Sequence, residues 1–191
     1  MKNSCRILQH PTIRRIMVKS MKYSYNVQRE MYYNICNTKR GIAVTSPKFG
    51  SKENVSSEHL YNACKNEFPT SVPILGFHTH PIISNDKNDP EFSHGDIESM
   101  IISSSEDYKL PSNYINCIVQ PLDVKIGKNR RKTIINARCT RNIDAMTFLI
   151  NTPELHGSGK NVFENAFYRL LNKNPRIQDK FSCKEIIDIQ D

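Results

Sequence analysis

The sequence has no tryptophan, no long apolar run and no closely spaced cysteine pair. A membrane helix needs about 18 uninterrupted apolar residues, and no stretch of the chain approaches that length. Residues 1–15 are broken by charges where a signal peptide would have its apolar middle. The 191 residues are enough for one ordinary hydrophobic core. We therefore expect a soluble cytoplasmic protein with no membrane segment.

The six cysteines are scattered along the chain, and no C-x-x-C pair occurs. This spacing supports neither a thiolate zinc knuckle nor a thioredoxin-type redox motif. In a chain without a secretion signal, scattered cysteines are usually reduced and buried as small apolar side chains. We expect that state for all six of them: Cys5, Cys36, Cys64, Cys117, Cys139 and Cys183.

The chain has a net charge of +8, and acidic residues are scarce in two of its segments. Residues 1–40 contain nine basic residues and one acidic residue, and residues 125–142 contain seven basic residues and no acidic one. Residues 78–107 are the opposite, with one basic and seven acidic residues. Basic segments are typical of nucleic-acid-binding proteins, so a DNA-associated module is one interpretation. However, no zinc-finger spacing and no RNA-recognition aromatic motif accompanies them.

The apolar periodicity predicts a mixture of helices and strands. Helices are expected over residues 12–23, 57–67, from 93 onward and over 161–173. Strands are expected over residues 74–77, 113–120, 124–126 and 133–140, with a hairpin around the turn at 37–41. This order favours an α+β fold with a single mixed sheet flanked by helices. We divide the chain into a domain of residues 1–142 and a C-terminal extension of residues 143–191, which has one amphipathic helix packed on the same domain.

Two histidines follow the apolar run of residues 74–77. Residues i and i+2 of a strand point to the same face, so His78 and His80 should present their imidazoles side by side. Pro81 then ends the strand. Two neutral imidazoles supply two ligands of a tetrahedral zinc site, and a catalytic site has one more protein ligand and a position left for water.

A carboxylate that fits as the third ligand follows in the sequence Ser93-His94-Gly95-Asp96. Ser93 is a good N-cap, which places Asp96 in the first turn of the next helix. An ordinary helix cap would have the same residues. The combination of a strand ending in H-x-H-P, a polar connection and S-x-x-D nevertheless favours a hydrolytic metal site.

These residues resemble the JAMM motif of MPN-type zinc metalloproteases, a family that includes deubiquitinases. The signature of that family is an upstream glutamate, then H-x-H, then S-x-x-D. The resemblance implies a cytidine-deaminase-like α+β fold and one zinc ion per chain. It also implies that His78, His80 and Asp96 bind the zinc ion, and that the Ser93 hydroxyl helps to stabilise the oxyanion.

The resemblance further implies a glutamate as general base, and four glutamates lie upstream of His78. Glu30 lies at the start of a Tyr/Ile-rich strand, where the family has its base, and Glu58 is the second choice. Two departures from the family pattern accompany this assignment. Twelve residues separate His80 from Ser93, more than the usual spacing, so an insertion within residues 84–90 is expected. The Gly-rich run that often follows the family's glutamate is replaced by M-Y-Y-N-I.

The resemblance implies a zinc metallopeptidase that cuts a peptide or isopeptide bond, with ubiquitin-like proteins or their conjugates as the substrate class. The alternative is the nucleic-acid-binding module, with the histidine pair structural, so nucleic acid stays open as a partner. Another type of H-x-H metal hydrolase, such as a phosphoesterase, would need several further ligands, and after Asp96 only His156 remains among the histidines. Nothing in the sequence fixes the oligomeric state.

Overall fold

The computed structural model describes residues 4–51, 62–81, 91–103, 110–126, 130–156 and 160–187. The helices are α1 (Pro11–Val27), α2 (Ala63–Glu67), α3 (His94–Ser103), α4 (Asn142–Ile150) and α5 (Lys160–Lys173). The strands are β1 (Met31–Thr38), β2 (Gly41–Val44), β3 (Lys48–Phe49), β4 (Val72–Thr79), β5 (Ile115–Ile126), β6 (Arg130–Arg141) and β7 (Cys183–Ile187). Short 3-10 turns lie at Ser4–Gln9, Pro153–Leu155 and Ile177–Lys180.

The predicted first helix is confirmed as α1, and its apolar stripe faces the core. Ile13, Met17 and Met21 recur at four-residue intervals, and each is at most 2% exposed. The basic residues between them face outward, as expected for an amphipathic helix. The helix ends where Gln28 adopts the left-handed conformation (φ 52°), and the Gln28 backbone N–H bonds the carbonyl of Ser24.

One mixed sheet of seven strands lies within the described residues, which confirms the predicted α+β class. Its strand order is β2-β1-β4-β5-β6-β7, and β3 pairs with β1. The pairing of β4 with β5 is parallel, and the other pairings are antiparallel. The predicted hairpin is the β1–β2 pair, with its turn between Thr38 and Gly41. The strands expected at 113–120 and 124–126 form one continuous strand, β5.

Helices cover both faces of the sheet, because successive strand residues point to opposite sides. Leu75 and Phe77 of β4 pack in a cluster with α1. Ile118 of β5 packs in the second cluster with residues of α3, α4 and α5. His78 and His80 alternate with Phe77 and therefore belong to the side on which α3 lies.

The C-terminal extension has more regular structure than the sequence pattern predicts. Residues 142–150 form α4, and β7 adds a strand to the sheet beside β6. Neither element has a clear period in the sequence. The predicted helix over 161–173 is confirmed as α5, with Phe167 fully buried. The boundary at residue 142 stays a prediction.

Several predictions fall wholly or partly outside the described residues. These are the first part of the helix expected over 57–67, the alternative base Glu58 and the insertion within 84–90. The helices that the structure does describe include no segment with the length and apolar character needed to cross a bilayer.

The prediction that the cysteines are reduced is wrong, because the structure joins all six in disulfides. The pairs are Cys5–Cys183, Cys36–Cys64 and Cys117–Cys139. The sequence did not predict these pairs, because the paired cysteines are far apart along the chain and come together only in the folded structure. For example, Cys117 and Cys139 lie directly opposite each other on β5 and β6. Disulfides are rare in reducing compartments. The cytoplasmic location stays a prediction.

Candidate metal centre

The candidate metal centre is built on the C-terminal end of β4. The His78 and His80 side chains lie next to each other on one face, with their Nε2 atoms 2.9 Å apart. The His80 backbone N–H donates to the carbonyl of Val119 on β5, which continues the parallel pairing past the end of β4. The predicted side-by-side arrangement of the His78 and His80 imidazoles is therefore confirmed.

Asp96 lies in the first turn of α3 and is oriented by the helix cap. The Asp96 Oδ2 atom accepts hydrogen bonds from the backbone N–H (2.7 Å) and the hydroxyl (2.8 Å) of Ser93. The Asp96 backbone N–H donates in return to Ser93 Oγ. This reciprocal arrangement is a capping box. Because the cap occupies Oδ2, the other oxygen, Oδ1, is directed at His78 Nε2, which lies 3.1 Å away.

The three side chains form a group that could hold a metal ion. Their ligand atoms all lie within 4.8 Å of one another, and two of the separations are 2.9 Å and 3.1 Å. Zinc–ligand bonds of about 2.0–2.2 Å place neighbouring tetrahedral ligand atoms roughly 3.3 Å apart. Two imidazoles and one carboxylate also match the donor preference of zinc. Small side-chain adjustments would therefore bring His78, His80 and Asp96 onto one ion.

Glu30 reaches the same centre from the neighbouring strand. The antiparallel register pairs Tyr32 with His78, so Glu30, two residues earlier, comes opposite His80. The Glu30 Oε1 atom lies 3.9 Å from His80 Nε2, and its side chain is 9% exposed. A buried carboxylate at this distance lies beside the histidine ligands and can exchange a proton with a molecule bound next to them.

Thr79, between the two histidines, fixes the relative position of β4 and β1. Its side chain points to the opposite face, where Oγ1 accepts a hydrogen bond from the Met31 backbone N–H (3.0 Å). The Thr79 hydroxyl donates to Ser24 Oγ (2.6 Å), and the Ser24 hydroxyl donates to the carbonyl of Arg29 (2.6 Å). This chain of hydrogen bonds holds the backbone on both sides of Glu30 against the end of β4.

A buried pair of tyrosines, Tyr32 and Tyr114, lies next to His78. The Tyr32 ring lies parallel to the His78 ring, with the centroids 6.2 Å apart, and the Tyr32 and Tyr114 hydroxyls are 3.2 Å apart. The Tyr114 hydroxyl also donates to Asn34. Gly76 makes this packing possible, because a Cβ there would lie 2.1 Å from the Tyr114 hydroxyl oxygen.

Burial and the neighbouring charges shift the pKa values of all three side chains of the centre. Burial and the nearby His78 imidazole lower the pKa of His80 to about 4. Burial alone would lower the pKa of His78, but the Asp96 carboxylate outweighs this effect and raises it. Burial alone would raise the pKa of Asp96, but His78, His80 and Ser93 together hold it well below its usual range. His80 is therefore neutral at pH 7, which is the form that binds a metal.

The structure brings all five predicted site residues into one region. Four of them, His78, His80, Asp96 and Glu30, surround the candidate centre, while Ser93 caps α3 beside it. Of the other upstream glutamates, Glu67 accepts hydrogen bonds from Ser46, and Glu53 and Glu58 lie outside the described residues.

Sequence reasoning missed the residues that support the centre, and Thr79 and Gln178 are two examples. Thr79 had a signal, since a residue between two same-face histidines must point to the other face. Gln178 had none, although it binds the backbone of Phe92, 86 residues away.

Neither a protein-family model nor a curated protein sequence matches this chain. The interpretation of the centre therefore depends on the geometry and chemistry of its own residues.

Proposed function

We propose that this protein is a zinc-dependent hydrolase of the JAMM type, with an MPN-like fold, that cuts a peptide or isopeptide bond. The observation that carries the proposal is the convergence of His78, His80 and Asp96, with the Glu30 carboxylate 3.9 Å from His80 Nε2. A capped helix and two paired strands deliver these side chains from three separate parts of the sequence. A structural histidine pair would not need a carboxylate beside each histidine, as Asp96 lies beside His78 and Glu30 beside His80.

The residues have distinct parts in the proposed reaction. His78, His80 and Asp96 would hold one zinc ion, which supplies Lewis acidity toward water and a carbonyl oxygen. Glu30 accepts the proton of the attacking water and later delivers it to the leaving amine. Because Glu30 is buried, water does not fully solvate its carboxylate, and this favours proton transfer over a short distance.

Ser93 has two parts in this proposal. In the structure its hydroxyl donates to Asp96 Oδ2, so it orients a metal ligand. Ser93 is also exposed, next to the helix that contains Asp96. We assign it to stabilisation of the carbonyl oxygen as negative charge develops there.

The proposed substrate is a protein, and ubiquitin-like proteins or their conjugates are the class that the motif resemblance suggests. An isopeptide bond links a carboxyl terminus to a lysine side chain.

A nucleic-acid-binding function is the second candidate. The observation in its favour is that Arg14, Arg15 and Lys19 are all exposed on α1, a helix without acidic residues. If this were the main function, binding to duplex DNA would weaken steeply with salt and would survive removal of the metal. The charge of α1 alone does not explain the carboxylates of Asp96 and Glu30 beside the histidines.

Metal analysis of the purified full chain tests the proposal. Wild type should contain about one zinc ion per chain, and His80→Ala should lose it, because two remaining ligands bind zinc weakly. His10→Ala is the matched control, since His10 is exposed and makes no side-chain capping bond. A wild-type protein that takes up no zinc after incubation with the metal would refute the proposed function.

A further inference from the structure

Gln178 lies in the last 3-10 turn of the chain and binds the residue that leads into the metal-ligand helix. The Gln178 Oε1 atom accepts a hydrogen bond from the Phe92 backbone N–H (2.8 Å), and Nε2 donates to the Phe92 carbonyl (2.9 Å). Gln178 is fully buried. One side-chain amide therefore satisfies both polar groups of a buried backbone residue.

This contact acts on the orientation of Asp96 through the helix cap. Phe92 directly precedes Ser93, whose backbone N–H and hydroxyl both bond Asp96 Oδ2. The two hydrogen bonds to Gln178 fix the peptide groups on both sides of Phe92, and the peptide after Phe92 contains the Ser93 N–H. The direction of that N–H, and with it the direction of the Asp96 carboxylate, depends on Gln178.

The Phe92 side chain is held by the same segment. Phe92 is 1% exposed, and its ring stacks on Phe181 with centroids 6.5 Å apart. Backbone and side chain of Phe92 therefore both contact residues 177–181, which connect α5 to β7.

Gln178 is itself connected to the sheet. The Ser182 hydroxyl donates to the Gln178 carbonyl (2.5 Å). The Arg138 guanidinium of β6, 2% exposed, donates to Ser182 Oγ (2.7 Å) and to Asp179 (3.0 Å). Buried charged groups are rare unless they are paired, so Arg138 is a specific anchor for this turn. The path from the sheet to the cap is continuous.

We propose that Gln178 is a positioning residue, which orients Asp96 for metal binding through the backbone of Phe92 and the Ser93 cap. The inference rests on the proposed function, because it concerns a ligand of the same zinc site. It assigns a function to the C-terminal extension, which the motif itself does not include. Residues that orient metal ligands typically change metal affinity by roughly 10–100-fold when they are lost.

The test uses the full chain, with cobalt(II) as a spectroscopic probe in place of zinc. Gln178→Met keeps the side-chain length but removes both hydrogen bonds. We expect cobalt(II) affinity to fall roughly 10–100-fold, with a changed visible absorption band as the carboxylate ligand shifts. Thr140→Val is the matched control: Thr140 is fully buried and donates to the Phe181 carbonyl (2.7 Å), so its hydroxyl bonds the same segment as Gln178 but not the Phe92 backbone. It should leave affinity and spectrum unchanged.

A second comparison distinguishes an effect on the orientation of Asp96 from a general loss of fold stability. In an Asp96→Ala background the two histidines retain weak cobalt binding, and Gln178→Met should cause no further loss there, because its effect passes through Asp96. All variants are compared at a temperature at which thermal unfolding shows them folded. If Gln178→Met does not fold, Gln178→Asn keeps a buried amide that is too short to reach both Phe92 groups, and it should show the same loss.

Three outcomes would overturn the inference while the proposed function stands: unchanged cobalt affinity in both Gln178 variants, equal losses for Gln178→Met and Thr140→Val, or a further loss in the Asp96→Ala background. If wild type binds neither zinc nor cobalt(II), the proposed function itself fails, and the inference fails with it.

Discussion

Lowering the pH should weaken the fold of the metal-free protein through His80. The pKa of His80 falls from 6.5 to about 4 in the folded state, because the imidazole is buried and lies against His78. A second proton on this pair would place two cationic rings with their nitrogen atoms 2.9 Å apart. Between these pH values the unfolded chain protonates His80 and the folded chain does not, so stability is lost as the pH falls.

The size of this effect follows from the shift in pKa. Each pKa unit corresponds to about 1.4 kcal/mol, so the fall from 6.5 to about 4 corresponds to at most about 3–4 kcal/mol. The His80 side chain is 24% exposed, and solvent screening reduces the measured value. The contribution of neutral His80 to the free energy of unfolding is complete above pH 6.5 and is absent below pH 4. His78 has the opposite shift: its stabilising contribution is complete below pH 6.5 and is lost as the pH rises through its raised folded pKa.

Denaturant unfolding of the full chain in chelator, between pH 7 and pH 4, measures the effect. His80→Gln keeps a neutral hydrogen-bond acceptor near the position of Nε2 but cannot take up a proton. The free energy of unfolding of wild type should therefore fall more steeply than that of His80→Gln as the pH is lowered. His10→Gln, at an exposed position, should follow wild type. Parallel curves for wild type and His80→Gln below pH 6.5 would refute the reasoning about His80.

Three further predictions concern the base and the disulfides. Glu30→Gln should retain zinc but lose hydrolysis of a ubiquitin-like conjugate by roughly 10²–10⁴-fold, since an amide cannot accept the proton; normal turnover with bound zinc would reject Glu30 as the base. The cysteines of the native chain should resist alkylation in denaturant until a reductant is added, and labelling without reductant would contradict the pairing. In the chain-entropy account, loss of the Cys5–Cys183 bond, with its sequence separation of 178, should lower the free energy of unfolding by about 5 kcal/mol, measured by denaturant titration.

The parts of the centre that depend on local periodicity could be predicted from the sequence. Alternation along a strand placed His78 and His80 on one face, and the capping pattern placed Asp96 in a first helical turn. The apolar stripe of α1 was equally local. In each case residues no more than four positions apart determine the geometry.

The sequence could identify Glu30 as a candidate base, but only the tertiary structure places it beside His80. The motif resemblance pointed to it, but its distance to His80 depends on the antiparallel register of β1 and β4. A shift of that register by one residue would have turned the carboxylate to the opposite face. The hydrogen bonds of Thr79 to Met31 and Ser24 help to hold the register, and they connect residues 48 and 55 positions apart.

The sequence by itself determined the α+β class, the position of the histidine pair and the helix cap that contains Asp96. Only the tertiary structure decided that the six cysteines pair, that α4 and β7 complete the fold, and that Gln178 binds Phe92 from 86 positions away. The physical reason is the range of the interactions. Strand alternation and helix capping are short-range properties of the backbone, whereas disulfides and buried side-chain amides find partners only after the sheet has brought distant segments together.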